Sequence, residues 1–315
     1  MELRQLRYLV ALAEERSFTR AAAREHIAQP ALSQQIQKLE QEVGLALVER
    51  TTRRVSITDA GAMLVARARR VLAELDSAQE ELQSLRGILA GHVNVGSMHT
   101  MGQIDISLVL AHFHERHPAV ELTVREDYSE SLAEMLRVDK IDLAFLSVTE
   151  RIESTGLAFQ QLVSEELMVL LPPEHRLAGR AEIRMADLAG EKFVSFREGS
   201  RLRELLVGAA DMAGFEPDIR LESNEPQRLR SLVSRGLGVA ILPSSDADAP
   251  GADVAIARLT NPSLARDITL AWRADRRHPP AVSEFLAITQ ETFGRPDYGS
   301  RATGIARSEA MQASG

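Results

Sequence analysis

The stretch Gln29-Pro30-Ala31-Leu32-Ser33-Gln34-Gln35-Ile36-Gln37-Lys38-Leu39-Glu40, closed by Val43-Gly44, decides the fold. Leu32, Ile36, Leu39 and Val43 recur at the spacing that aligns one apolar face of an α-helix. The other side carries Ser33, Gln34, Gln37, Lys38 and Gln41. Hydroxyl and amide groups hold donors and acceptors that match base edges, and a lysine reaches phosphate. A merely solvated helix surface has the same composition, so this face alone leaves the two readings level. Pro30 suits the first turn, where its missing N–H has no helical partner, and Gly44 ends the helix.

Upstream, Leu6, Leu9, Val10 and Ala13 mark a first helix ending near Ser17. Ser17 or Thr19 caps a short second one, Ala21-Ala22-Ala23-Arg24-Glu25-His26, whose small residues permit close packing. Downstream, Glu49-Arg50-Thr51-Thr52-Arg53-Arg54-Val55-Ser56-Ile57 alternates as a small, arginine-bearing β-wing. Short helix, tight turn, third helix and wing together describe a winged helix-turn-helix. From Thr58 and Asp59 a long helical pattern runs to about Leu89. Val65, Ala68, Leu72, Leu75, Gln79 and Leu82 form a heptad seam along it, with Arg67, Arg70, Glu74 and Glu81 on the opposite side. The seam is read as a dimerisation surface, with packing against the chain's own body as the alternative.

Beyond Gly87–Gly91 the texture changes. Val93–Val95, Val120–Val124, Ile141–Leu146, Leu167–Leu171, Lys192–Phe196, Ile219–Leu221, Val239–Pro243 and Ile268–Trp272 read as strands with helical segments between them. This order predicts a mostly parallel α/β sheet in two lobes with a cleft between them, followed by a tail from Gly294 onward without periodicity.

Composition fits a modular reader. The 315 residues carry a formal charge of −8, yet residues 1–70 hold 12 basic and 8 acidic residues, a surplus of four positive charges. There are no cysteines, which excludes a disulfide scaffold, a cysteine nucleophile and a thiol switch in this chain. No signal peptide or membrane span is read, so the expected compartment is the cytoplasm and no membrane partner is expected.

These residues resemble the LysR-type transcriptional regulators: Ser17-Phe18-Thr19-Arg20-Ala21-Ala22-Ala23, the Gln29–Glu40 helix, Val43-Gly44, Glu49-Arg50-Thr51 and Thr58-Asp59-Ala60-Gly61. The likeness continues through Val93-Asn94-Val95-Gly96, Ile141-Asp142-Leu143-Ala144 and Gly236-Leu237-Gly238-Val239-Ala240-Ile241-Leu242-Pro243, to about Phe293. Ala28 stands where the family usually has serine, removing a cap or phosphate contact, and Val48 where it has phenylalanine. The resemblance implies a winged helix-turn-helix over residues 1–58, a dimerising linker helix over 59–90, and a two-lobed α/β effector domain over 91–293 similar to type II periplasmic binding proteins. Lobe I would take about 91–162 and 268–293, lobe II about 163–267, and 294–315 would be a tail. It further implies a homodimer assembling to a homotetramer on an interrupted inverted repeat in double-stranded promoter DNA, with RNA polymerase as partner of an activator. No cofactor or metal is implied. Gln29, Pro30, Ser33, Gln34 and Gln37 would face the major groove with Lys38 beside them, and Arg50, Arg53 and Arg54 would bring the wing to phosphates or the minor groove.

The ligand is expected at the carboxyl ends of strands, where loops meet helix starts. Ser97, His99 and Thr100 follow the first strand, Ser147 and Thr149 a later one, and Ser195, Arg197 and Ser200 a strand of the second lobe. Hydroxyls and free N–H groups at helix starts suit an anionic effector, with Arg197 as its counter-charge. Glu225 is read as serving the dipole of the helix it opens. His112, His114 and His117 cannot all share a helix face, and no G-x-S-x-G, P-loop or G-x-G-x-x-G occurs, so neither a metal site nor an enzyme is expected. A solute-binding protein fits the α/β body, but not the helical head.

Overall fold

The computed structural model describes residues 1–50, 55–84 and 89–293. Expectations for the wing tip, the end of the linker and the tail after residue 293 lie outside the described residues. The chain divides into two units, one made chiefly of Met1–Gly91 and the other chiefly of His92–Leu136 and Ile141–Arg277.

In the first unit, helices α1 (Leu3–Glu15), α2 (Phe18–Arg24) and α3 (Gln29–Val43) precede a hairpin of β1 (Val48–Arg50) and β2 (Val55–Ile57), then the long helix α4 (Asp59–Ser84). The Ser17 hydroxyl accepts from the Arg20 N–H and caps α2. Ala28 occupies the N-cap of α3 without any side-chain cap, so the loss read from the sequence is real at that helix end. Leu32, Ile36 and Leu39 are buried with Leu9, Leu12, Ala21 and Leu47, each large side chain contributing about 1.5–3 kcal/mol of transfer free energy. Val43 departs from the expected face: it is 40% exposed, because α3 ends there at Gly44 with φ +76°. Glu40 ties the helix end to the wing, accepting from the N–H groups of Leu47 at 2.9 Å and Val48 at 3.0 Å. Thr58 closes the start of α4, donating to the Ala46 carbonyl while accepting from the Gly61 N–H. Residues 89 and 90 are not helical, so the regular helix does not reach Leu89.

The second unit contains β3 (Gly91–Ser97), α5 (Ile106–Arg116), β4 (Val120–Glu126), α6 (Ser129–Arg137), β5 (Leu143–Leu146) and β6 (Leu157–Leu171). There follow β7 (Glu182–Arg184), β8 (Lys192–Ser195), α7 (Arg201–Met212), β9 (Asp218–Glu222), α8 (Pro226–Ser234), β10 (Ala240–Pro243), α9 (Ser244–Asp248), β11 (Ala255–Thr260), β12 (Ala265–Arg273) and α10 (Pro280–Phe293). The main sheet runs β4-β3-β5-β12-β6-β11-β7, with β10 also on β6 and a separate β8-β9 pair. The expectation of a mostly parallel sheet is corrected: β3–β5, β7–β11 and β8–β9 are parallel, but β12 runs antiparallel to β5 and β6, and β10 and β11 run antiparallel to β6. Two strands cause this: β12, the late return strand, inserts between β5 and β6 in the opposite sense, and the long β6 runs against β10 and β11. β6 pairs with β12 over its first part and with β10 and β11 over its last, so β6 and β12 are the strands common to both lobes. α10 closes on α5 through Phe285 against Phe113, ring centroids 5.1 Å apart.

Candidate functional site

Two surfaces carry the residues singled out by the sequence. On α3, Gln29, Pro30, Gln34, Gln37 and Lys38 are exposed and Ser33 is half-buried, all opposite the Leu32–Ile36–Leu39 core. The Lys38 ammonium lies 3.8 Å from a Glu2 carboxylate oxygen. The α2–α3 turn is held by Glu14, which receives 2.6 and 2.9 Å bonds from Arg24 and Arg69 and so links α1 to α2 and α4. Burial alone would raise the Glu14 carboxyl, but the hydrogen bonds and charges of the two arginines outweigh it and hold it below its usual value. Arg53 and Arg54 lie outside the described residues, as does the side chain of Arg50.

The α4 seam divides. Val65 and Ala68 are buried within the protomer, Val65 as part of the core it shares with α1 and α3, so these two positions are already used internally. Leu72 and Leu75 are half-buried, while Gln79 and Leu82 are exposed, Leu82 at 65%. Leu3, Val71, Leu75 and Ala78 line an open groove flanked by Arg70 and Glu74.

In the second unit a small cavity of about 20 Å³ lies between the loop after β3 with the start of α6 and the loops preceding α7 and α8. That is room for little more than one water molecule. Of the expected ligand residues, His99, Thr100 and Ser200 line it. Ser97, Ser147, Thr149, Ser195 and Arg197 do not. Ser97 is buried and its hydroxyl donates to the Met98 carbonyl. Ser147 donates to the Asp267 carbonyl at 2.7 Å, joining β5 to β12. Thr149 and Ser195 are buried, and Arg197 is exposed, with its backbone N–H bonded to Asn224. Arg197 is therefore not placed as the counter-charge; Arg201 and Arg266 are the arginines on the cavity wall. Glu225 is the N-cap residue of α8 and pairs with Arg228 at 2.8 Å.

The rest of the wall escaped the sequence reading. Asp127 is committed to the Tyr128 N–H at 2.8 Å and the Ser131 hydroxyl at 2.7 Å. The Asn224 amide donates to the Tyr128 hydroxyl at 3.0 Å, and Arg151 pairs with Glu204 at 3.0 Å, two links that hold the lobes together across the cleft. Gly199, at φ +86°, lies flat on the Tyr128 ring, where a Cβ would stand 3.3 Å from the ring. The His99 ring packs against the same tyrosine, with ring centroids 5.2 Å apart. Arg266 donates to the Thr100 carbonyl and hydroxyl and pairs at 2.8 Å with the buried Glu165. Gly102, at φ +56°, gives Glu165 its place: a Cβ there would collide with the carboxylate, which accepts from the Gln103 N–H at 3.0 Å. The sequence signal is weak: Glu165 and Arg266 take inward positions, but both strands carry other polar residues around them.

Comparison with known proteins places this geometry. The family described as "Bacterial regulatory helix-turn-helix protein, lysR family" matches residues 3–62, and "LysR substrate binding domain" matches residues 86–294. The DNA-binding transcriptional dual regulator OxyR of Escherichia coli K12 is 35% identical over 244 residues, covering 78% of this chain and 79% of OxyR. The regulator AlsR of Bacillus subtilis is 30% identical over 291 residues, covering 92% of this chain and 95% of AlsR. Among solved structures, a cysteine-to-aspartate variant of full-length OxyR from Pseudomonas aeruginosa superposes with a TM-score of 0.73 at 29% identity, covering 92% and 95% of the two chains. Full-length CbnR complexed with its target DNA superposes with a TM-score of 0.63 at 25% identity, covering 93% and 100%. One unit thus presents an exposed polar helix face and the other a lined cleft, and the chain belongs to the LysR family of DNA-binding transcriptional regulators, with a C-terminal effector-binding domain.

Proposed function

We propose that this regulator binds an interrupted inverted repeat near a promoter as a homodimer assembling to a tetramer, and that a small anion in the lobe cleft sets its DNA-bound arrangement. The observation that carries the reading is the convergence of Arg201, Arg266, Thr100 and the N-terminus of α7 on one cavity. Gln29, Pro30, Ser33, Gln34, Gln37 and Lys38 read the operator, Arg50, Arg53 and Arg54 supply the wing contacts, and Leu72, Leu75, Gln79 and Leu82 form the dimer seam. The working divisions are residues 1–58, 59–90 and 91–293. A DNA reader acts where the chromosome lies, in the bacterial cytoplasm, and in an activating arrangement its further partner is RNA polymerase.

Several relatives are named hydrogen peroxide-inducible genes activators, and the solved Pseudomonas OxyR bears a substitution at a cysteine. This chain has no cysteine, so a thiol–disulfide response to peroxide does not transfer to it. Its signal is bound without covalent chemistry, and the family's work is regulation. The test is an electrophoretic shift of the full chain on the DNA upstream of its own coding sequence. Retardation that is lost in Gln34→Ala supports the reading; no retardation at low salt overturns it.

A further inference from the structure

Behind the cavity wall lies a charge cluster that DNA reading does not require and that holds one more carboxylate than the lobe contacts use. Arg266 and Glu165 face each other in register on β12 and β6, with side chains 1% and 0% exposed. The Arg266 Nε is buried and has no hydrogen-bond partner among the described residues. Asp246 on α9 is close enough to feel both charges, and its Oδ2 is likewise buried without a partner among the described residues. α9 packs on β6, β10 and α8. β6 presents Glu165 to this corner and β10 presents no titratable group. α8 carries two charges: Arg228, exposed and paired with Glu225, and Arg230, committed to the carbonyls of Ala247 and Ala252. Asp248, on α9 itself, is exposed. The cluster is therefore one guanidinium against two carboxylates.

We infer that Arg266, Glu165 and Asp246 make the cleft a proton-coupled anion site, in which a small carboxylate bound against Arg266 is accompanied by a proton taken from solvent onto Asp246. This rests on the reading of the cleft as the effector site and names the chemistry of its ligand. With Asp246 ionised, the positive charge of Arg266 is more than cancelled, and an anion on the wall meets a net negative neighbour in a medium of low dielectric. With Asp246 protonated the cluster is neutral, and an anion beside Arg266, Arg201 (itself paired with Glu204 at 3.4 Å) and the α7 N-terminus no longer meets a net negative neighbour. Burial pushes the Asp246 carboxyl up to about 6, Arg266 opposing the rise and Glu165 adding to it. The coupling is reciprocal: the anion must favour the proton as much as the proton favours the anion.

Formate, the smallest carboxylate, asks the least widening of a cavity of about 20 Å³. Full-length protein is titrated with formate at constant chloride between about pH 5 and about pH 7.5, by calorimetry in two buffers of different ionisation heat, with neutral formamide as control. The expected result is an affinity falling at least about fivefold over that range, with buffer-dependent heat that reports proton uptake, and no binding of formamide. Asp246→Asn should keep the low-pH affinity at every pH with buffer-independent heat. Arg266→Gln should abolish formate binding while DNA retardation persists. Formate binding with the same pH profile in wild type and Asp246→Asn overturns the coupling and leaves the effector cleft standing. Formate binding at no pH overturns the anion site itself. Should Asp246→Asn not melt cooperatively, the wild-type heats alone decide, since equal heats in the two buffers near pH 6 overturn the coupling.

Discussion

Asp246 and Glu14 show how a single carboxyl reports its surroundings through pH, with opposite signs. The folded-state value of Asp246 is raised to about 6 by burial, above the ordinary 3.8 of an aspartate. The native state then binds the proton more tightly than the unfolded chain, and the stability this confers is complete below the unfolded value and lost as pH rises through about 6. Asp246→Asn should therefore raise the melting temperature of the effector unit at pH 7–8, by an amount worth about 2 kcal/mol, with the gain fading as the pH falls through about 4. A variant no more stable than wild type at neutral pH would remove burial as the cause. Glu14 is held below its usual value by Arg24 and Arg69, so its contribution is present at neutral pH and lost as the pH falls through its folded-state value. Glu14→Gln should loosen the packing of α1, α2 and α4 by about 1 kcal/mol at pH 7, a modest figure because Arg24 is 47% exposed. Faster amide exchange in these helices at pH 7, converging with wild type in acid, is the readout. Neither residue is legible in the sequence. The polarity of Asp246 in Ser244-Ser245-Asp246 reads as turn chemistry, and only the fold brings it within reach of the charge of Arg266.

Among the elements, α3 is the most legible, since its apolar positions and its breakers Pro30 and Gly44 agree with one another. Substituting its exposed face tests what that agreement implies: Ser33→Ala or Gln34→Ala should cost about 1–3 kcal/mol of discrimination between operator and mismatched DNA, with little change in thermal stability. Competition binding with scrambled DNA measures this, and an unchanged preference refutes the assignment. α4 is legible as a helix but not as two surfaces. A heptad pattern specifies that a stripe is buried, not by what, and here α1 covers Val65 while Leu82 is left exposed. Leu75→Glu with Leu82→Glu should shift the chain toward monomer in light scattering without unfolding it, whereas Val65→Glu should unfold the first unit. A dimer unaffected by the double change would place the seam elsewhere. β6 is half legible: Leu167–Leu171 is an apolar run, but Leu157–Glu166 mixes polar residues because one side of this part is only half-buried. The short β7 and β11 alternate buried and exposed residues, but over too few positions to stand out.

At the scale of the whole molecule, the order of modules is readable because helix-rich and strand-alternating stretches differ in period. The cleft is readable only as a place. Three of the eight expected ligand residues reach the cavity, since hydroxyls after strands are also needed to cap helices and lace strands, as Ser147 does with Asp267. The residues that assemble the wall come from the loop after β3, the start of α6, the start of α7 with the loop before it, the loop before α8, and β12, whose Arg266 reaches the wall by the return of that strand between β5 and β6. Glu165→Gln should be far more damaging than any surface change, about 3–5 kcal/mol, since it strands a buried guanidinium; a loss below about 1 kcal/mol by denaturant melting would show that Arg266 finds other acceptors. The two shared strands also dictate how the lobes can move. With β6 and β12 running through both, relative rotation must twist this ribbon, and the Arg266–Glu165 pair is one of its rungs. A ligand held against that rung would act on the strands that join the lobes, so a small twist there would become a larger displacement at the far tips of the lobes.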